Sequence, residues 1–418
     1  MNVLSIILYV VTCMYIIVNP LISNEIKFKH VSFGDYILFL IFVIYFLNVI
    51  LNKDSRNRFI NGIRDFFTDY LTLSISGLFL IMLISVTYAA EKGMALQETF
   101  RFFTYAALFF IIKYEFAETK LIKGFLGSYI VCTIIMSVFG IVQYFTKFEL
   151  NKNFVKTDGF LGRPKVTVSL DNANNFGAFL VLAIFPIIML MIYVKGIKKK
   201  AFYLLLSLAL AMNIVFCYSR NAMLGFVIGL VVLAIIYSLK LIVPIGGLGI
   251  LMFLIPQIGS RIMDIGNSSE NFTRLKLWKT AWYMIKDHPI RGVGNGNFVS
   301  LYDSYVAKYH ELYIYYDYKR FPCHNSYLKI QSELGIFGTI FFISILINAL
   351  IRIKKLTDSL EDKFLKYFYT GFFASVIAFL VMNLSDNLFF VPKTTSFFWM
   401  LLAMGEALRR CQKSEFYR

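Results

Sequence analysis

Charge is scarce in this sequence. Only 16% of its 418 residues are Asp, Glu, Lys or Arg and 58% are hydrophobic, and the mean hydropathy of +0.67 lies outside the range of soluble globular domains. That excludes a water-soluble fold and leaves an integral membrane protein. Cysteine is also sparse: five residues, at 13, 132, 217, 323 and 411, form no CxxC pair and have no spacing that would ligate zinc. Neither a disulfide framework nor a metal site is expected. No DxD motif occurs, which removes the usual carboxylate cradle for a divalent cation. The first apolar stretch lacks an AxA-like cleavage site and a second follows closely, so a retained helix is expected rather than a cleaved signal.

What is present is apolar length. A spanning helix needs about 20 mainly apolar residues, and the stretches 3–22, 33–51, 71–90, 98–117, 122–146, 174–194, 202–218, 221–238, 241–257, 333–352, 365–384 and 394–409 come near that length. The expected fold is an all-α polytopic bundle of about twelve transmembrane helices. It divides into N-terminal helices (1–146), a first long outer loop (147–173), central helices (174–257), a large outer loop (258–332), and C-terminal helices with a tail (333–418). Short basic connections such as "KGIKKK" and "RIKKLTDSLEDK" predict that both termini are cytoplasmic. The net charge of +17 is scattered between spans and forms no nucleic-acid-binding patch.

The two outer loops carry basic residues that topology does not require, Arg163 and Lys165 in the first and Arg274, Lys276 and Lys279 among those in the second. They are either solvated surface over anionic headgroups or contacts to an anionic substrate. Leu275, Trp278, Trp282 and Ile285, spaced 3, 4 and 3, predict one face of a helix lying on the membrane or over the bundle. It ends at "DHPIRGVGNGNF", where Pro289 stops the helix and Gly292, Gly294 and Gly296 allow a tight turn or close approach to a ligand.

Arg220 in "YSRNA" stands between two apolar runs, where an arginine costs about 2.5–3.5 kcal/mol on insertion scales. It either snorkels from a short outer turn or meets an anion that offsets the cost. Of four histidines, at 30, 288, 310 and 324, only His324 in "CHNSYLKIQSELGIFG" stands at the mouth of a span facing both long loops. Histidine suits general-base work near neutrality; the alternative is an interfacial or capping histidine. Glu333 is about 13.5 Å further along if helical, too far to orient His324, and is expected to pair with a cation on a neighbouring helix or to line an acceptor path. "MNLSDNLFF" places Asn383, Asp386 and Asn387 near the outer end of a span, with Arg101 as either their partner or a second phosphate contact.

The series "FLGRPKVTVSLDNANNFGAFL", "FCYSRNAMLGF", "RLKLWKTAWYMIKDHPIRGVGNGNF" and "HNSYLKIQSELGIFG" resembles, in order and spacing over about 158–340, the bacterial O-antigen ligase and polymerase family of membrane glycosyltransferases. The resemblance implies a bundle of the GT-C type with amphipathic helices in the large outer loop. It implies a glycan on undecaprenyl diphosphate as donor, and as acceptor a sugar hydroxyl of another lipid-linked repeat or of the lipid A core. Transfer would be inverting, with no metal and no cofactor, outside the bacterial inner membrane. Carried over by motif, the pyrophosphate-binding arginines fall on Arg220, Arg274 and Arg163 and the essential histidine on His324, with Asn325, Gly335 and Gly338 completing its segment; Asn325, Glu333 and Asp386 are the expected acceptor-side or supporting residues. Asp171 departs from the pattern, where a neutral residue is expected. The bilayer and a chain-length regulator are the further partners implied, and nucleic acid is not among them. A lipid-linked oligosaccharide flippase stays open, because twelve spans with both ends inside is also a transporter plan.

Overall fold

Single polar residues ahead of apolar runs set where helices begin. A computed structural model describes residues 2–23, 27–28, 31–148, 160–162, 164–241, 259, 269–314 and 321–416. In it Asn2, Ser32, Asn52 and Asp69 accept backbone N–H groups at the starts of α1 (Val3–Val18), α2 (Phe33–Leu51), α3 (Lys53–Phe66) and α4 (Tyr70–Tyr88). Helices α5 (Lys92–Glu115) and α6 (Thr119–Thr146) follow. Asn172 caps α7 (Ala173–Tyr193), α8 (Ile197–Cys217) returns, and Ser219 caps α9 (Arg220–Ile236). Two helices, α10 (Ser269–Asp287) and α11 (Phe298–Lys308), form a separate lobe. Asn325 and Asp362 cap α12 (Ser326–Ser359) and α13 (Lys363–Met382), and α14 (Pro392–Phe416) ends the described chain.

The all-α polytopic expectation holds: eight of these helices, α2, α4 to α8, α12 and α13, are long and apolar enough to cross a membrane, and α1 and α9 are shorter apolar helices. Among the described residues the only strand pairing is the two-residue ladder of Lys27–Phe28 with Val31–Ser32. Three sequence expectations need correction. The segment read as a connection before residue 70 contains α3, whose Phe59, Phe66 and Gly62 side packs on Tyr45, Phe110 and Tyr114. Helix α5 starts six residues earlier than the predicted span, at Lys92. Helix α12 starts at Ser326 because Asn325 supplies a cap, so the chain is already helical before the predicted span start at 333. Residues 242–257 of the ninth predicted span, and Arg163, lie outside the described residues.

Helix α7 is apolar all round because it is enclosed all round; Phe176, Phe179, Leu182 and Phe185 are fully buried. Pro186 within it has no N–H to bond the Leu182 carbonyl one turn back. Helix α13 supplies the replacement: Ser375 Oγ donates to Leu182 O at 2.9 Å. At one end of the bundle α7 and α9 touch with almost nothing between them, since a Cβ on Gly177 would lie 2.5 Å from the Ala222 Cβ. That contact brings the first turns of α7 and α9 together beside the start of α12 and the α13–α14 connection. This is the site end. At the far end, charged side chains of α3, α5, α12 and α14 close the bundle around Arg352 and Glu406.

The lobe has its own core of Leu277, Ala281, Met284, Phe298, Tyr302 and Tyr305. Of the predicted Leu275–Trp278–Trp282–Ile285 face, Trp278 packs against this core. Helix α10 docks through Leu277, Thr280, Ala281 and Met284, whose smaller side chains fit against α11, and it leaves Leu275 and Trp282 exposed at 57% and 52%.

Candidate active site

The site is assembled from five chain segments that sequence order keeps far apart. His324 precedes the α12 cap, in a left-handed backbone conformation (φ 52°) that costs a non-glycine residue about 1–3 kcal/mol. The surroundings hold it there: Trp278 Nε1 of α10 donates to His324 O at 3.2 Å, and the next N–H, of Asn325, donates to Asn387 Oδ1 at 2.9 Å. Ser326 continues the clasp, its N–H donating to Asn383 O at 3.0 Å and its Oγ to Asn383 Oδ1 at 2.6 Å. Asp171 and Tyr218 also have positive φ and flank the site from the α7 and α9 sides. The acidic departure at 171 fits this backbone, since aspartate tolerates the left-handed region better than most residues.

His324 Nδ1 lies 3.1 Å from Asp386 Oδ1. Asp386 takes two further hydrogen bonds, from its neighbour's N–H (Asn387 N to Oδ1, 2.8 Å) and from Asn174 Nδ2 to Oδ2 (2.8 Å). Burial works to raise the Asp386 carboxyl, but the hydrogen bond and charge of His324, the Asn387 N–H and the nearby charge of Arg274 outweigh it and hold the carboxyl below the ordinary carboxylate range. An ionised Asp386 only accepts, so His324 Nδ1 carries the proton and Nε2 is left with a lone pair. With 32% of the His324 side chain exposed against 11% for Asp386, the histidine is the member a substrate can reach.

Arg220 is the first residue of α9, so "YSRNA" is the turn between α8 and α9 and not a mid-span position. Its preceding residue Ser219 donates to Asn174 Oδ1 at 2.6 Å, which places the arginine's turn next to the residue that holds Asp386. Arg274, on α10 one turn before Trp278, approaches the same carboxylate from the lobe side. The structure thus brings together His324, Asn325, Asp386 and the segments bearing Arg220 and Arg274.

Two expected members are elsewhere. Glu333 pairs with Lys329 on its own helix (2.5 Å), not with a neighbouring helix, and accepts from Gly296 N and Phe298 N at 2.9 and 3.1 Å. It is a fastener for the glycine loop. That loop lies backbone to backbone on α12: a Cβ on Gly292 would sit 2.3 Å from the Glu333 carbonyl carbon, and one on Gly335 2.1 Å from Ile290 O. Gly335 (φ 66°) breaks α12 to receive it, so the glycines serve the lobe's attachment. Arg101 pairs with Glu98 at 2.6 Å, one turn away on α5, instead of with the Asp386 segment. Sequence reading missed Asn174 and Ser219; their only signal was their place in "DNANN" and "YSRNA", the two motifs that stop just short of a span. Among the described residues no group of His, Cys, Asp and Glu is arranged to hold a metal ion.

The sequence model of the O-antigen ligase family matches residues 202–343, a stretch containing Arg220, Arg274 and His324. The chain is also 23% identical over 432 aligned residues to the teichuronic acid biosynthesis protein TuaE of Bacillus subtilis (strain 168), an alignment covering 96% of this chain and 85% of that protein. Over residues 202–343 the chain is similar to the O-antigen ligase family. The matched stretch runs from α8 through the lobe into α12, while Asn174 and Asp386 lie outside it on either side.

Proposed function

We propose that this membrane enzyme of polysaccharide assembly transfers a glycan from undecaprenyl diphosphate to a sugar hydroxyl on the extracytoplasmic face. The observation that carries the reading is the His324–Asp386 pair, set beside the arginine-bearing turn of α9 and facing Arg274. In the step, Nε2 of His324 takes the acceptor hydroxyl proton as the oxygen attacks the anomeric carbon. The bond from that carbon to the diphosphate oxygen breaks with inversion, and its electron pair leaves on the diphosphate. Arg220 and Arg274 meet the departing charge, with Arg163 as a third candidate; guanidinium groups bind phosphate oxygens in pairs and need no metal to do so. Asn325 holds the segment, and the proton on His324 returns to solvent or to the diphosphate.

The family and the teichuronic acid relative support polysaccharide assembly; the joined histidine and arginine segments support a transferase over the flippase reading, which gives a base no task. Replacing His324 with alanine in the full chain, reconstituted with lipid-linked glycan and acceptor, should lower transfer by about 10²-fold or more while donor binding persists. Full activity in that variant would sink the mechanism. The glycan profile of a strain carrying it separates the two jobs: a single repeat still attached indicates a polymerase, and no attached glycan a ligase.

A further inference from the structure

We propose that Asn174 is a positioning residue for this reaction: it holds Asp386 as an accepting carboxylate and ties it to the cap of the Arg220 helix, so that the base and the donor-side arginine keep one register. The inference rests on the transferase reading above and adds a residue to it.

The direction of each hydrogen bond leaves one arrangement. Ser219 Oγ accepts from Ala222 N at 3.3 Å as the cap of α9 and gives its own proton to Asn174 Oδ1, 2.6 Å away. The carbonyl side of the Asn174 amide is thereby fixed toward Ser219, and its Nδ2 must face the other way, onto Asp386 Oδ2 at 2.8 Å. A group that receives this N–H and the Asn387 N–H is suited to be a carboxylate, and its remaining direction is taken by His324 Nδ1. The relay runs Ser219, Asn174, Asp386, His324, every link between 2.6 and 3.1 Å. Its members come from the α9 cap, the first turn of α7, the α13–α14 connection and the residue before the α12 cap. The Gly177–Ala222 contact sets the α7–α9 spacing that the Ser219–Asn174 bond requires. Asn174 bonds both the donor-side turn and the acceptor-side pair.

Two variants of the full chain in proteoliposomes test this, using a lipid-linked glycan donor and a sugar acceptor across a range of pH. Asn174→Leu keeps the volume and removes both bonds; the transfer rate at saturating substrates should fall about tenfold with little change in the donor KM. Asn174→Asp faces one carboxyl with another, so the two share a proton. The protonated form donates to Asp386 as the amide does, and this variant should work in acid and lose rate as pH rises, a limb absent from the parent. A merely structural role would shift the unfolding midpoint and scale the rate equally at every pH. Parental rates and pH profiles in both variants, with His324→Ala inactive, would overturn the role of Asn174 and leave the transferase reading standing. An active His324→Ala would overturn that reading itself. Should Asn174→Leu fail to fold, the pH limb of Asn174→Asp decides.

Discussion

At the far end of the bundle Arg352 grips Asp69 with two hydrogen bonds of 2.6 and 2.8 Å and Glu406 with a third of 2.7 Å, while Lys113 approaches Asp65 at 3.2 Å. At the site end the corresponding links run through a hydroxyl, an amide, a carboxylate and an imidazole. Both ends bury polar groups from several helices. The far end pairs full charges of opposite sign, with Glu406 only 4% exposed. The site end leaves a histidine about one-third exposed, on strained backbone, with one nitrogen uncommitted. The contrast separates polarity that closes a fold from polarity held ready for a substrate.

The comparison can be broken first at the closed end. Arg352→Met leaves Asp69 and Glu406 buried without their main partner and should cost about 3 kcal/mol or more, read as a lower unfolding midpoint in detergent, while whatever stays folded keeps the parental pH profile of transfer. A stable variant with an altered profile would mean the far end takes part in the chemistry. At the site end, Asp386→Asn preserves size but removes the accepting charge, so the Nδ1 proton of His324 is no longer fixed. Transfer should fall about 10²-fold with the unfolding midpoint nearly unmoved. The sign of the pH effect follows from the lowered Asp386 pKa. Such a carboxyl contributes stability that is fully present above its unfolded value and lost as pH falls through the folded one, so Asp386 should stay an accepting carboxylate from neutrality down to about pH 4 and release His324 only in stronger acid. Loss of the pair at milder pH, seen by imidazole NMR, would contradict that assignment. The smallest effect is expected at the surface: Lys123→Ala breaks a half-exposed pair with Asp362 and should change stability by less than about 1 kcal/mol. A larger change would mean that the closed end extends further than Arg352.

Much of the fold is legible because apolar length alone marks a span, whereas His324, Arg220 and Arg274 are singled out by the motif resemblance, and the structure places His324 and the segments bearing the two arginines at one end of the bundle. What could not be read was pairing across the fold. Asp386 was noticed, but a linear sequence gave no reason to choose His324 over Arg101 as its partner. From the sequence Glu333 is expected to pair with a cation on a neighbouring helix or to line an acceptor path; in the folded chain it pairs with Lys329 on its own helix and satisfies the N–H groups of a glycine loop packed against it. Helix α3 was hidden by its charge, since an amphipathic helix at a bundle end has the composition of a connecting loop.

The contact of the Gly292 loop with the break at Gly335 has a mechanical meaning. Two stretches of main chain meet there with room for a hydrogen and no more, and further bonds from Val293 and Gly294 to the Ser332 and Glu333 carbonyls, each 2.9 Å, rivet them together. The lobe is therefore a rigid handle on the first turns of α12. A push on its exposed face is delivered to the residues that follow His324, and no swivel lies between them to absorb it.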